Sequence, residues 1–143
     1  MKAGHVANIR AFNRFYTRVL GLLDKYILNS RYTLPEVRIL YELANHENLT
    51  ASDLIETLQI DKGYLSRIIL DLRLQKLVQS KRSDTDGRSM VLSLTNLGRK
   101  EFKILNKSSD LQLASILENL TNKECDKLVQ NMKEIAAILS KPQ

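Results

Sequence analysis

The sequence predicts a mainly α-helical fold with one small β-hairpin, and two observations support this prediction. Apolar residues recur at helical spacing along most of the chain, and three of these segments open with a capping box, a Thr followed three residues later by an acidic residue. Between residues 78 and 94 the period changes to two strand-like runs that flank an Asp-Gly pair, a strong hairpin signal. The predicted order is four helices, the hairpin and two further helices.

The first helix is predicted over residues 6–28. Ile9 and Phe12 belong to one apolar stripe at helical spacing, and Phe15 and Leu22 belong to a second stripe that widens the apolar surface. A helix with apolar residues on two sides has to bury both of them. Because the chain is short, we expect the second side to meet another subunit.

The later helices are predicted from their first residues. Capping boxes predict three helix starts, at Thr33, Thr50 and Thr121. Asp61 is a candidate N-cap for a helix that runs to about Gln75, and Thr95 is the candidate N-cap after the hairpin. The helix after Asp61 is expected to bury Leu65, Ile68, Ile69 and Leu72. The helix after Thr33 is expected to bury Val37, Leu40, Tyr41 and Leu43 with Ala44.

Composition is typical of a globular protein of one domain. The chain has 143 residues, 43% of them hydrophobic, and no apolar run near the roughly 20 residues that a membrane-spanning helix needs. Arg10, Arg14 and Arg18 interrupt the N-terminal stretch, which argues against a secretory signal. The single cysteine, Cys125, excludes an intramolecular disulfide and fits a reducing compartment. We therefore expect a cytoplasmic protein with no membrane partner.

The positive charge is concentrated in the middle of the chain. Residues 61–103 hold ten Lys or Arg and five Asp or Glu, a net of +5 out of +6 for the whole chain. A localised excess of this kind is the expected footprint of a polyanion site. The alternative is a basic surface that serves solubility alone.

Residues 50–75 have the pattern of a helix-turn-helix, two helices joined by a turn of a few residues. With Leu65, Ile68 and Ile69 facing the core, the first two turns of the second helix present an outer face suited to base edges and phosphates. This face consists of Lys62, Gly63, Tyr64, Ser66 and Arg67. The alternative is a three-helix packing unit with a solvated polar face.

The hairpin adds a second basic element directly after this helix. Its loop and flanks carry Lys81, Arg82 and Arg88, and also Asp84 and Asp86. A basic hairpin in this position can reach the phosphate backbone or a narrow minor groove, where an inserted Arg is favoured. Asp86 is expected to orient the Arg88 guanidinium. The alternative is a solvent-exposed loop with a surface ion pair that contributes little to stability.

Three segments resemble the multiple-antibiotic-resistance-regulator (MarR) family of winged helix-turn-helix proteins: residues 60–67 (IDKGYLSR), 84–88 (DTDGR) and 94–98 (LTNLG). The resemblance implies a homodimeric transcriptional regulator that binds a palindromic operator in double-stranded DNA. It is expected to act as a repressor that a small-molecule effector releases from DNA. It also implies one domain over residues 1–143, with dimerisation helices in 1–30 and 95–143 and the winged helix-turn-helix in 31–94. By position, the wing arginine of the family is Arg88 and its supporting acid is Asp86.

A narrower likeness involves residues 9–17 (IRAFNRFYT) and 61–67, which resemble the branch fused to a GNAT-type acetyltransferase. Because the sequence ends at Gln143, we expect no such domain here. Two other functions stay open at this point, a winged helix that binds only proteins and the regulatory half of an acetyltransferase system.

An enzyme is not expected. His5, His46 and Cys125 do not fall in a metal-ligand spacing, and we expect no cofactor or metal. In the resembled family, peroxide-sensing members place their reactive cysteine in the first helix, whereas Cys125 lies in the last predicted helix. A redox role for Cys125 is the alternative to an inert thiol.

Overall fold

A computed structural model describes residues 2–142 of the chain, and this part holds six helices and three strands. It divides into two compact units, one up to Ser109 and one from Asp110 onward. The elements, in chain order, are α1 Ala3–Val19, α2 Leu34–Asn45, β1 Leu49–Thr50, α3 Ala51–Leu58, α4 Lys62–Leu74, β2 Val78–Arg82, β3 Met90–Leu94, α5 Asn96–Leu117 and α6 Asn122–Leu139. The predicted order of helices and hairpin is confirmed, with the short β1 added.

The predicted helix starts are confirmed by their hydrogen bonds. All three capping boxes are closed in both directions, at Thr33, Thr50 and Thr121. The carboxylate of Asp61 accepts a hydrogen bond from the backbone N–H of Tyr64 at 2.9 Å. The hydroxyl of Thr95 accepts one from the N–H of Gly98 at 3.0 Å. Each bond satisfies a donor that the first helical turn leaves free.

The first helix is shorter than predicted, because α1 ends at Val19 instead of continuing to residue 28. Gly21 follows with a left-handed φ of 68°, the conformation that glycine adopts without steric cost. The Gly21 N–H donates to the Arg18 carbonyl at 3.1 Å, and the Leu22 N–H donates to the Thr17 carbonyl at 3.0 Å. These two bonds form a Schellman motif, which ends the helix even though apolar residues continue at helical spacing.

The three strands form one antiparallel sheet in the order β1-β3-β2. In β2 and β3, Val78 pairs with Leu94 and Lys81 with Val91. In β1, Leu49 pairs with Leu92. Two residues are too few to show a strand period, and the sequence analysis therefore missed β1. Its pairing closes the second edge of β3 and connects the start of the helix-turn-helix to the hairpin.

The core of the first unit lies between α2, α3, α4, the sheet and the start of α5. It contains all four residues predicted for α4, and its buried members are Tyr32, Ile39, Leu40, Leu43, Leu54, Leu65, Ile68, Ile69, Leu72, Leu77, Val78, Leu92, Leu94 and Leu105. In α2 the expectation for Tyr41 is wrong, because its side chain is 46% exposed and packs beside Phe102 at 6.2 Å between ring centroids. Ile39 occupies the buried position instead.

Two terminal helices leave apolar side chains exposed. In the first unit α1 buries none of its residues, and Ile9, Phe12 and Phe15 are exposed. In the second unit α6 also buries none, and its exposed apolar residues include Val129, Met132, Ile135 and Ile138. Within the described residues, no helix is both long and apolar enough to cross a bilayer.

Candidate nucleic-acid interface

The helix-turn-helix consists of α3 and α4, which are separated by only three residues. Gln59, the first of them, has a left-handed backbone with φ 52° and ψ 47° and ends α3. Ile60 packs against the core, and Asp61 caps α4. The turn is therefore anchored at its centre by apolar burial and at its end by a side-chain hydrogen bond, which fixes the direction in which α4 leaves it.

The outer face of α4 is formed by the residues that the sequence predicted. Leu65, Ile68, Ile69 and Leu72 are buried. The exposed positions in the first two turns are Lys62, Gly63, Tyr64, Ser66 and Arg67. Since α4 packs by its apolar side against the rest of the unit, this face is available to a large partner such as a DNA groove.

Arg67 is held beside two of its neighbours on this face. Its guanidinium carbon lies 5.9 Å from the centroid of the Tyr64 ring, within the range of a cation–π contact. A Cβ atom on Gly63 would lie 3.2 Å from the Asp61 carboxylate and 3.7 Å from the Arg67 guanidinium. The absence of a side chain at Gly63 therefore leaves room for both groups and permits close approach of a ligand to the backbone.

The basic wing residues occupy the hairpin that β2 and β3 form. Lys81 and Arg82 are exposed near the end of β2, and Arg88 is exposed in the loop between the strands. The loop extends over residues 83–89, and its ends are joined by a hydrogen bond from the Ser83 N–H to the Ser89 carbonyl at 2.9 Å. The hairpin predicted from Asp86-Gly87 is confirmed, but Gly87 does not have the positive φ of a two-residue type I′ turn.

Asp86 has a different role from the one expected. Its Oδ1 accepts a hydrogen bond from the Arg88 backbone N–H at 3.0 Å, and its Oδ2 accepts one from the Ser89 hydroxyl at 3.0 Å. Within the described chain, ion pairs involve Glu42 with Arg38 and with His46, and none joins Asp86 to Arg88. The carboxylate therefore shapes the loop backbone and leaves the Arg88 guanidinium available.

A groove of about 460 Å³ lies at the base of the wing. Lys81, Arg82 and several hydroxyl groups line it together with two carboxylates, and its lining residues are Asn48, Thr50, Lys81, Arg82, Ser83, Asp84, Thr85, Asp86, Ser89 and Val91. The sequence analysis missed Asn48 and Thr50 as neighbours of the wing. They reach it through the pairing of β1 with β3, which no local pattern in the sequence indicates.

Across residues 2–142, no group of three His, Cys, Asp or Glu side chains is arranged to hold a metal ion. Cys125 lies on α6 in the second unit and is half-buried. The candidate interface instead consists of cationic, hydroxyl and glycine positions on α4 and the hairpin.

Comparison with known proteins identifies the type of this fold. Residues 32–89 match the model of the MarR family. A 77-residue segment is 40% identical to the organic hydroperoxide resistance transcriptional regulator of Bacillus subtilis (strain 168). That segment covers 54% of this chain and 50% of the relative, so the match extends over half the relative's length.

Two solved structures share the fold over most of their length. Streptococcus pneumoniae FabT in complex with DNA superposes with a TM-score of 0.79 at 16% identity, covering 94% of this chain and 96% of FabT. Bordetella bronchiseptica BpsR, whose DNA binding is regulated by 6-hydroxynicotinic acid, superposes with a TM-score of 0.70 at 20% identity, covering 89% and 96%.

The fold is that of a winged helix-turn-helix protein, and its basic face lies in the segment that is similar to transcriptional regulators. More narrowly, the winged-helix segment, residues 32–89, is similar to the MarR family of regulators.

Proposed function

We propose that this protein is a homodimeric repressor that binds a palindromic operator in double-stranded DNA in the cytoplasm and is released by a small-molecule effector. The observation that supports this most is the exposed face of α4, which carries Lys62, Gly63, Tyr64, Ser66 and Arg67 on the side opposite the core. The basic hairpin belongs to the same compact unit.

In this proposal α4 enters the major groove and the wing follows the adjacent backbone. Arg67 and Ser66 are suited to base edges, and the backbone near Gly63 can approach the DNA closely. Lys81 and Arg82 are suited to phosphates, which carry no direct sequence information. Arg88 is suited to the minor groove that flanks each half-site, with Asp86 holding the loop that presents it.

Dimerisation is assigned to the terminal segments, residues 1–30 and 95–143, with residues 31–94 contacting DNA. The exposed apolar faces of α1 and α6 support this assignment, since each needs a partner to be removed from water. The effector is proposed by analogy with BpsR, and its chemical identity is left open.

The dimer is tested by sedimentation velocity at micromolar concentration. The full chain should sediment as a dimer, and Ile135→Glu should shift it toward the monomer because the change places a charge in the apolar α6 face. Gln130→Glu adds the same charge to an exposed α6 position on the opposite side and should stay dimeric. A folded, monomeric full-length chain would falsify the homodimer.

DNA binding is tested by fluorescence anisotropy at several salt concentrations, first on random duplex and then on sites selected from a random pool. If each subunit contacts about four phosphates, log K against log salt should have a slope of about −7. Lys81→Ala should weaken binding to selected and random duplex by similar factors, whereas Lys133→Ala on α6 should change neither. A slope near zero excludes the proposed electrostatic mode.

A further inference from the structure

The outer face of α4 also carries two exposed leucines that the proposed contacts do not use. Leu70 is 55% exposed and Leu74 is 72% exposed. At about 100° per residue, Leu70 lies about 40° around the helix from Ser66 and about 60° from Arg67. It therefore belongs to the same stripe as the residues assigned to base edges, directly opposite buried Leu65 and Leu72.

The surroundings of Leu70 favour a polyanionic partner. Arg67 lies one turn before it and Arg73 lies three residues after it, each about 60° around the helix from Leu70, and both are exposed. The exposed Asp71 lies further around, at about 100°, so the two cations are the nearer charges. An apolar side chain between two cations on an exposed helix face fits the floor of a DNA groove, where phosphates border the bases. α4 packs against α3 and β2, and Leu70 stays more than half exposed, so the described chain does not cover it.

Only one standard base presents an apolar group in the major groove, thymine with its C5-methyl. Leu70 lies about 4.5 Å along the helix axis from Arg67, a little more than the rise of one base pair. We propose that Leu70 is a specificity residue that contacts the methyl group of one thymine in each half-site, one or two base pairs from the base that Arg67 contacts. The proposal rests on the proposed DNA binding through α4.

The test removes the methyl group and the leucine separately. In the selected operator, each symmetric pair of thymines is replaced in turn by deoxyuridine, which keeps every hydrogen bond and loses only the methyl. At one pair, affinity should fall roughly fourfold for each half-site and roughly 15-fold for the dimer. This is the loss expected when about one methyl group per half-site is no longer buried. Leu70→Ala should bind the thymine and deoxyuridine operators equally.

Two variants serve as controls. Leu70→Met keeps an apolar side chain of similar reach and should retain the preference for thymine. Leu74→Ala removes a leucine of the same stripe at the last residue of α4, one turn further along, and should retain the full preference. Because Leu70 is largely exposed, we expect Leu70→Ala to stay folded, and its melting temperature checks this.

The outcomes separate this inference from the function on which it rests. If the wild-type chain fails to bind duplex DNA, both are overturned. If it binds, but deoxyuridine is tolerated at every pair or the loss persists in Leu70→Ala, only the Leu70 contact is overturned. Loss at one symmetric pair that disappears in Leu70→Ala and remains in Leu74→Ala supports it.

Discussion

The Asp86 carboxylate accepts a hydrogen bond from the Arg88 backbone N–H, with 3.0 Å between Oδ1 and N. The same carboxylate accepts from the Ser89 hydroxyl at 3.0 Å, and the Ser83 hydroxyl accepts from the Asp86 N–H at 3.2 Å. Side-chain to backbone bonds of this kind stabilise tight loops. The loop is therefore ordered by its own polar residues, and the Arg88 guanidinium extends from it.

Arg88→Ala should reduce the preference of the protein for operators with A/T-rich flanks, because a narrow minor groove concentrates negative potential around an inserted guanidinium. Arg88→Lys should restore this preference only in part, since a hydrated ammonium is a poorer groove ligand. The measurement is affinity on one operator and its flank-swapped versions at fixed salt. Equal losses on every flank would mean that Arg88 contacts phosphate alone.

Asp86→Ala should give a milder form of the Arg88→Ala defect, because it removes the acceptor that holds the Arg88 backbone. Asp86→Asn is the matched control, since its side-chain oxygen can still accept from that N–H while the charge is lost. We expect Asp86→Asn to keep the flank preference in the same assay. If it behaves like Asp86→Ala, the flank preference requires the charge of Asp86, and the hydrogen bond from the Arg88 N–H is not sufficient to explain it.

Arg67→Ala should cost about 1–3 kcal/mol of binding free energy and relax base preference at one symmetric pair of operator positions, as expected for loss of a bidentate contact to guanine. Arg67→Lys keeps the charge but loses the planar guanidinium that can donate two hydrogen bonds to one base. It should therefore retain binding to random duplex and lose most of the discrimination between bases. Competition with all four base pairs at each position measures both effects. Uniform loss at every sequence would assign Arg67 to the backbone instead.

Gly98→Ala should destabilise the folded chain by about 3 kcal/mol, because the added Cβ would overlap the carbonyl oxygen of Leu77 in a buried position. Gly87→Ala is the control, since a Cβ there meets nothing within 4 Å. Urea unfolding followed by circular dichroism compares the two. A Gly98→Ala protein as stable as Gly87→Ala would show that α5 can shift away from the Leu77 carbonyl at no cost.

Deprotonation of Tyr32 should lower the free energy of unfolding in alkaline solution. Burial raises the pKa of its hydroxyl above the ordinary value of 10.0. The hydrogen bond that the hydroxyl donates to Glu101 at 3.0 Å also raises the pKa, whereas the hydrogen bond from Arg31 lowers it. The folded state thus holds this proton more tightly, so the stabilisation is complete below about pH 10 and decreases as the pH rises above it.

Tyr32→Phe tests this dependence. It should lower the free energy of unfolding by about 1–2 kcal/mol at pH 7 through its lost hydrogen bonds, and it should flatten the decline above pH 10. Urea unfolding at pH 7, 9 and 11 gives both quantities, with the exposed Tyr26→Phe as the control. An equal alkaline decline in Tyr32→Phe and in the wild type would assign the effect to other groups.

Local signals in the sequence were sufficient for the order of the helices and the hairpin, five helix starts and the buried face of α4. Each of these depends on residues three or four apart, such as Thr50 and Asp53, or on one apolar stripe. The same holds for the exposed cationic positions of α4, because a helix that buries Leu65 and Ile68 must present Ser66 and Arg67 on its other side.

Contacts between distant segments were decided by the tertiary structure alone. Tyr32 and Glu101 lie 69 positions apart, β1 pairs with β3 across about 40 residues, and Gly98 meets the carbonyl of Leu77. No periodicity or spacing encodes such pairs, because they exist only once the chain has closed around the core. Even within one loop, Asp86 was expected to orient the Arg88 guanidinium, whereas its carboxylate accepts from the Arg88 backbone N–H. The sequence shows which groups can bond, and only the path of the backbone determines which of them meet.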